Sequence, residues 1–321
     1  MPPTSEGRAQ VTAEVTDRDV FLNTGHVQRS WKDVARSAIC RIIAPLPDAT
    51  FCALKYFTFR GRFPDLRNPR TFTDKVQARK LYDRNPLFPT IVDKADVKAL
   101  ITDVVGPRYV VPTQWVGTAL SDVDWRTIAL PAVVKPTHAS GVGRLLNHWD
   151  DVDALMAQDP SAAWLAIDHA SYNREWAYSQ LEPRIIIEPM LLSRGAIPPD
   201  YRLFTFDGVV SHIEVDFEND GTTSYCNYDP QWRKLPFHDP DYDGFFLGEV
   251  ERPVRLEEMI RVAETLGKGF DFLRVDLYAC DEWIRVGELT LYPGGGFDAF
   301  EPREYDLLLG EKWRLGFSVP L

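Results

Sequence analysis

Cysteine is scarce in this chain: four residues in 321, Cys40, Cys52, Cys226 and Cys280, with no CxxC pair and no zinc-type spacing. So few and so scattered, they exclude a disulfide framework and a cysteine metal cluster, and they fit a reducing cytoplasm. Long apolar runs are missing too. The most apolar stretch near the N-terminus, SAICRIIAPL, is broken by Arg41 and Pro45, so neither a signal peptide nor a membrane span is expected. There is no internal repeat, no low-complexity segment, no GxSxG elbow and no cysteine-centred signature of a catalytic nucleophile. Positive charge is in deficit, 36 Lys and Arg against 47 Asp and Glu for a net charge of -11. That disfavours non-specific binding to nucleic acid or to an anionic membrane.

What is present suffices for a large core, since 45% of residues are hydrophobic and 12% aromatic. Residues 1–27 are polar and read as a disordered tail. Residues 28–112 form a basic, largely helical region. From Gln28 to Arg84 there are 13 Lys and Arg against 5 Asp, a local +8 that reads either as solvated helix faces or as a surface for an acidic partner. Apolar spacing predicts helices over Arg29–Ile43, from Thr73 or Asp74 to the Asn85-Pro86 break, from Asp93 to Gly106-Pro107, from Asp150, and after Pro253. Residues 113–183 hold the strands PAVVKP and RLLNHW around a glycine loop. Residues 184–321 open with the β-branched run RIIIEPML, followed by a hairpin turning at Asp207-Gly208, in which HIEVD around His212 is a strand. A second hairpin, FLRVDLYACDEWIRVGELTLYPGGGF, comes near the end. Helices mixed with antiparallel hairpins place the chain in the α+β (mixed α/β) class.

The last hairpin carries charge where an apolar strand has no use for it. A three-residue loop, Cys280-Asp281-Glu282, sets Arg274 opposite Glu288 and Asp276 opposite Val286, with Arg274, Asp276, Glu288 and Thr290 on one face. A four-residue loop separates Asp276 from Glu288 instead. Two carboxylates about 4 Å apart repel by roughly 4 kcal/mol at an effective dielectric of 20, a term that a divalent cation reverses. Hard oxygen ligands suit Mg²⁺, and the competing reading is a plain Arg274–Glu288 pair. Upstream, VVKPTHASGVGR puts Lys135 at the end of a strand, followed by small residues whose N–H groups can approach phosphate oxygens. It is not a Walker A loop, and a simple hairpin turn competes with the phosphate reading. The decoys weigh less. DPDYDG lacks the helices and spacing of an EF-hand, His138 reads as an ordinary loop histidine, and Trp176 and Tyr178 read as core rather than a sugar platform.

In order, VVKPTHASGVGR, IIIEPML, LRVDLY and VGELTLYPGG resemble the nucleotide-binding elements of ATP-grasp proteins. More narrowly, NPRTFTDKVQARKLYDRNPL, VDKADVKALI, PDYRLFTFDG and GELTLYPGGGF resemble the TupA-like ATP-grasp family, over about Trp31 to Trp313. The resemblance implies an ATP-grasp fold, with nucleotide between a smaller subdomain (113–183) and a C-terminal one (184–321). It implies ATP and Mg²⁺ as cofactors. Lys94, Lys135 and the loop Ser140, Gly141 and Gly143 would meet the phosphates. Glu188, Pro189, Met190 and Leu191 would line the adenine site, and Asp200 would lie near the ribose. Arg202 and Arg274 would face the transferred phosphoryl group, while Asp276, Glu288 and Thr290 would hold the metal. Two departures stand out: Thr290 occupies a position where many relatives carry Asn, and DFENDGTTSYCNYD after Val215 has no Arg or His. The expected function is a cytoplasmic carboxylate-amine ligase working through an acyl phosphate. Its amine would be joined to a uronic or amino-acid unit of a surface glycan, with the basic N-terminal region facing the acidic acceptor. The alternatives are an ATP-grasp kinase and a non-catalytic nucleotide- or glycan-binding module.

Overall fold

Along the longest strands, alternate side chains separate into an apolar set and a charged set, and that separation builds the larger of two antiparallel sheets. The computed structural model describes residues 31–219 and 221–319; the tail expected over 1–27 lies outside the described residues. The chain opens with α1 (Trp31–Ile43), α2 (Asp48–Arg60), α3 (Phe72–Tyr82), α4 (Phe88–Val92) and α5 (Val97–Val105). Next come β1 (Trp115–Gly117), β2 (Ala132–Pro136), β3 (Arg144–Leu146), the helices α6 (Trp149–Gln158), α7 (Ser161–Leu165) and α8 (His169–Asn173), and β4 (Ile185–Pro189). The remainder is β5 (Asp200–Phe206), β6 (Val209–Asn219), β7 (Thr222–Tyr228), β8 (Lys234–Leu235), α9 (Leu256–Gly267), β9 (Phe272–Ala279), β10 (Ile284–Thr290) and α10 (Glu304–Lys312).

The small sheet runs β1-β4-β2-β3 and the large one β10-β9-β5-β6-β7-β8. RIIIEPML therefore pairs with β2 on one side and β1 on the other. The boundary expected at residue 184 falls at the start of a strand interior to the small sheet, because the β-branched run Ile185–Ile187 is buried on both faces and needs neighbours on both edges. Each sheet has its own core. Leu120, Val134, Leu146, Trp164, Ile185 and Ile187 fill the small one. In the large one, α9 lays Leu256, Met259, Val262, Ala263 and Leu266 across β9, β5 and β6.

Phe72, Val76, Phe88, Ile91, Val97 and Ile101, from α3 to α5, belong to that same large core. The basic region is thus integral to the large sheet. Part of its charge is used inside the molecule. Lys55, Arg79 and Lys80 are 2%, 0% and 1% exposed. Arg79 donates to the Phe272 carbonyl at 2.9 Å and pairs with Asp271, while Lys80 donates to the Gly295 carbonyl at 2.6 Å. Arg60 pairs with Asp241 at 3.0 Å and Arg62 with Asp74 at 2.8 Å. A guanidinium or ammonium buried among its own partners cannot greet an external acid, so Lys55, Arg79 and Lys80 add nothing to a surface for an acidic partner, whereas Arg41, Arg67, Arg70 and Arg84 are exposed.

Helix starts are set by side chains that accept orphan N–H groups. Thr71 caps α3 by accepting from Asp74 N at 3.2 Å, so the helix begins just ahead of the Thr73 or Asp74 expected as its cap. Asp93 accepts from Ala95 and Asp96 N–H at 2.8 and 3.0 Å ahead of α5. Its carboxylate also takes Thr137 Oγ1 at 3.0 Å and Arg184 at 3.0 Å, which ties the start of α5 to the glycine loop. The β5–β6 turn has Asp207 and Gly208 at φ 49° and 75°, the primed geometry that a two-residue hairpin loop requires.

Candidate functional site

The β9–β10 hairpin differs from the three-residue loop expected. Ile284 pairs with Ala279, leaving four loop residues, and a bulge between Val286 and Glu288 then shifts the register by one. Glu288 comes directly opposite Asp276, and Thr290 opposite Arg274. The bulge thus reverses the separation that a four-residue loop would impose on its own. Gly287 occupies it because a Cβ there would lie 2.8 Å from the Tyr278 ring. Beyond β10, Gly294, Gly295 and Gly296 all have positive φ (52°, 61° and 73°), a run that side chains resist. The turn presents the Gly295 carbonyl to Lys80 and Gln77, and the Gly296 carbonyl to Gln77.

Register across the large sheet assembles one polar row, Glu288 (β10), Asp276 (β9), Arg202 (β5), Glu214 (β6) and Asn227 (β7). The flanking rows add Asp200 and Asp216 on one side, and Thr290 and Arg274 on the other. Arg274 binds Asp276 through both oxygens, at 2.8 and 2.6 Å, and reaches Thr290 Oγ1 at 3.2 Å. Arg202 holds Asp200 at 3.2 Å, Glu214 at 2.7 Å and Asp216 at 2.6 Å. Two guanidiniums serve four carboxylates, with Glu288 a fifth beside them, so acid is in surplus. Burial first, with Asp276 adding, pushes Asp200 up to about 6; burial, with Glu214 and Asp200 adding, pushes Asp216 up to about 7. Glu288 makes no ion pair among the described residues.

Across from this face stands the small-sheet cluster. Glu188 is clamped by Lys98 at 2.5 Å and Lys135 at 2.7 Å. Burial alone would raise its pKa, but the two ammoniums outweigh it and hold the carboxyl below its usual range. Lys94 donates to the Ala139 carbonyl at 2.6 Å, and burial lowers its pKa against the raising pull of Glu288. Tyr178 is within hydrogen-bond reach of Ser140 and feels the charge of Glu288. The Lys94–Ser140–Tyr178–Glu288 group is therefore where glycine loop and large sheet meet. Ser140 and Gly141 are exposed, Gly143 is buried, and Gly141 has φ 74°. Pro189 ends β4, Met190 and Leu191 follow it, and the Met190 N–H is already given to the Pro131 carbonyl at 2.9 Å. His138 is buried, 4% exposed.

The expected residues accordingly fall into two facing groups: Lys94, Lys135, Ser140–Gly143 and Glu188–Leu191 with the small sheet, and Asp200, Arg202, Arg274, Asp276, Glu288 and Thr290 on the large one. Sequence reading passed over Lys98, whose signal was its place in the first turn of the helix that follows Lys94. It also passed over Glu214 and Asp216, whose signal was the period-2 pattern His212, Glu214, Asp216 in β6, and the β6–β7 pairing that the Asp220-Gly221 dipeptide announces. Tyr178, read as core, does pack against the large core, and it reaches Ser140 as well. Among the described residues no three His, Cys, Asp or Glu side chains are grouped to hold a metal alone. Asp276, Glu288 and the Thr290 hydroxyl are nonetheless a hard-oxygen donor set with one uncommitted carboxylate, which fits a cation completed by phosphate and water. No helix among the described residues is long and apolar enough to cross a membrane.

The model of the TupA-like ATP-grasp family matches residues 74–314. No curated protein matches significantly. Among solved structures, D-alanine–D-alanine ligase from Bacillus anthracis is 16% identical with a TM-score of 0.39, over 64% of this chain and 57% of that one. The ATP-grasp ligase PsnB complexed with minimal precursor is 16% identical with a TM-score of 0.39, over 88% and 75%. D-alanine–D-alanine ligase from Helicobacter pylori is 11% identical with a TM-score of 0.40, over 75% and 67%. The chain thus spans a little over half the length of the first of these ligases.

Proposed function

The chain belongs to the TupA-like ATP-grasp family, and from that premise we propose that it is an ATP- and Mg²⁺-dependent carboxylate-amine ligase. The carboxylate substrate takes the γ-phosphoryl group of ATP to give an acyl phosphate and ADP. The amine, after losing a proton, attacks the acyl carbon, and phosphate leaves as the amide forms. The single observation that carries the reading is the facing of the two groups, with Lys94 near enough to Glu288 to feel its charge and Tyr178 reaching Ser140 where the glycine loop meets the large sheet. Phosphoryl transfer needs positioning and charge neutralisation rather than a protein nucleophile, and this arrangement offers both.

Lys98 neutralises Glu188, so the pair of lysines keeps one net positive charge for Lys135 to present to a phosphate. Lys94, half-buried with one carbonyl partner, gains from any anion brought beside it. The Ser140–Gly143 loop covers the phosphates, and the end of β4 lines the base. Arg274 and Arg202 steady the developing phosphate oxygens. Asp276, Glu288 and Thr290 would hold Mg²⁺, which when bound offsets the negative charge of the polyphosphate. A cytoplasmic setting agrees with the four free cysteines. A carboxylate from a surface-glycan precursor, a uronic or amino-acid unit, is the acceptor we propose by family.

Incubation of the full chain with ATP, Mg²⁺ and panels of amines and carboxylates should release ADP and phosphate only when both partners are supplied. Glu288→Gln should lower that turnover by about 10²-fold or more, the scale of losing one preorganised electrostatic group. Turnover undiminished in Glu288→Gln and Asp276→Asn would refute the assignment.

A further inference from the structure

On the charged face of the large sheet, past Arg202 and Arg274, a cavity of about 370 Å³ lies under β6, β7 and the segment around His238. Buried polar atoms are normally paired, because an unpaired one loses about 1–3 kcal/mol of solvation without return. Here four residues that line one cavity each keep a buried polar atom without a partner: Asp216 Oδ1, Asn227 Oδ1, His212 Nδ1 and His238 Nδ1. Asp216, Asn227 and His212 are only 4%, 1% and 2% exposed, so bulk water does not serve them. The Asn227 amide oxygen and the ionised Asp216 carboxylate oxygen are acceptors, which calls for a ligand rich in hydrogen-bond donors.

Charge narrows the class. Glu214, Asp216, Asp239 and Asp298 line the cavity, against Arg202 and Arg274, which already serve Asp200 and Asp276 as well. Asp298 has no ion pair among the described residues. A carboxylate ligand would enter against this surplus, whereas an ammonium would relieve it. Phe204, Phe237 and Tyr242 supply apolar and π walls that also suit a cation. The stretch after Val215, which lacks Arg and His, turns out to provide acidic and amide groups where basic ones would have suited an anion.

We propose that this cavity is the binding site of the amine co-substrate, received as its ammonium form, and that the carboxylate substrate binds elsewhere. The inference rests on the ligase reading. The elevated pKa values of Asp216 and Asp298, each about 7, have the same origin, burial among carboxylates with too few cations. A second cavity of about 300 Å³ shares Asp239, Tyr242, Gly294 and Asp298, giving room for the rest of the amine.

Isosteric probe pairs test it: putrescine against 1,4-butanediol, and glucosamine against glucose, each followed by saturation-transfer NMR on the full chain without nucleotide. The expected result is that an ammonium member binds at least tenfold more tightly than its neutral counterpart. Asn227→Leu and Asp298→Asn should each weaken it, while binding of a non-hydrolysable ATP analogue, the check on folding, is unchanged. Equal binding of neutral members, no binding of either ammonium probe at millimolar concentration, or preferential binding of glucuronate would overturn it. ADP release is scored separately. Amine binding without turnover counts against the ligase reading, and turnover whose amine dependence survives both variants counts against this site.

Discussion

Asp276 and Glu288 lie side by side, yet the protein treats them differently. Asp276 is fixed by two hydrogen bonds from Arg274, while Glu288 is left to influence Lys94, Tyr178 and Arg274 through space. Asp298 shows the same surplus in another way. Burial above all, then Asp239 and Glu214, push its carboxyl up to about 7, against the lowering pull of Arg274 and Arg60. A carboxyl raised in the folded state holds its proton where the unfolded chain has lost it. Its penalty is therefore absent below the ordinary range near 4, grows as pH rises, and is complete above about 7. Asp298→Asn should accordingly raise Tm at pH 8 by roughly 2–4 °C, and leave it almost unchanged at pH 4. A shift of equal size at both pH values, read by calorimetry, would rule this out. The residue types at these positions were legible in the sequence, and Glu288 was singled out there. Their pairings were not, because Arg274 could as well have chosen Glu288.

At the level of elements, the register of β9 and β10 decides whether the two carboxylates meet. Loop length alone gives the wrong answer, and the bulge at Gly287 restores the right one. No alternation pattern reveals a bulge, since one extra residue leaves local composition unchanged. Gly287→Ala should push against the Tyr278 ring, destabilise the protein by about 1–3 kcal/mol, and lower ligase turnover more than tenfold by displacing Glu288. Unchanged Tm and ADP release would show that the ring yields instead. The triple glycine was legible as a turn. That its carbonyls would be gathered by Gln77 and Lys80 of α3 was not, because those residues lie more than two hundred positions away.

For the whole molecule, the N-terminal helices raise the question of independence. Phe72, Val76, Phe88, Ile91 and Val97 complete the large core, and five such side chains at about 1.5–3 kcal/mol each match a domain's usual margin of about 5–15 kcal/mol. A fragment of residues 113–319 should therefore lack a cooperative unfolding transition. A sharp calorimetric peak from that fragment would refute the shared core.

The sequence by itself determined the strands, most helices, the absence of a long apolar span and the order of motifs, because hydrophobic period and turn residues act over a few neighbours. It also named nearly every residue of the two facing groups. Only the tertiary structure decided that Glu288 meets Asp276, that Lys98 and Lys135 share Glu188, that Lys55, Arg79 and Lys80 of the basic region are buried, and that Asp216 and Asn227 line one cavity. Those outcomes depend on sheet register and on burial between distant segments, and neither is encoded in local spacing.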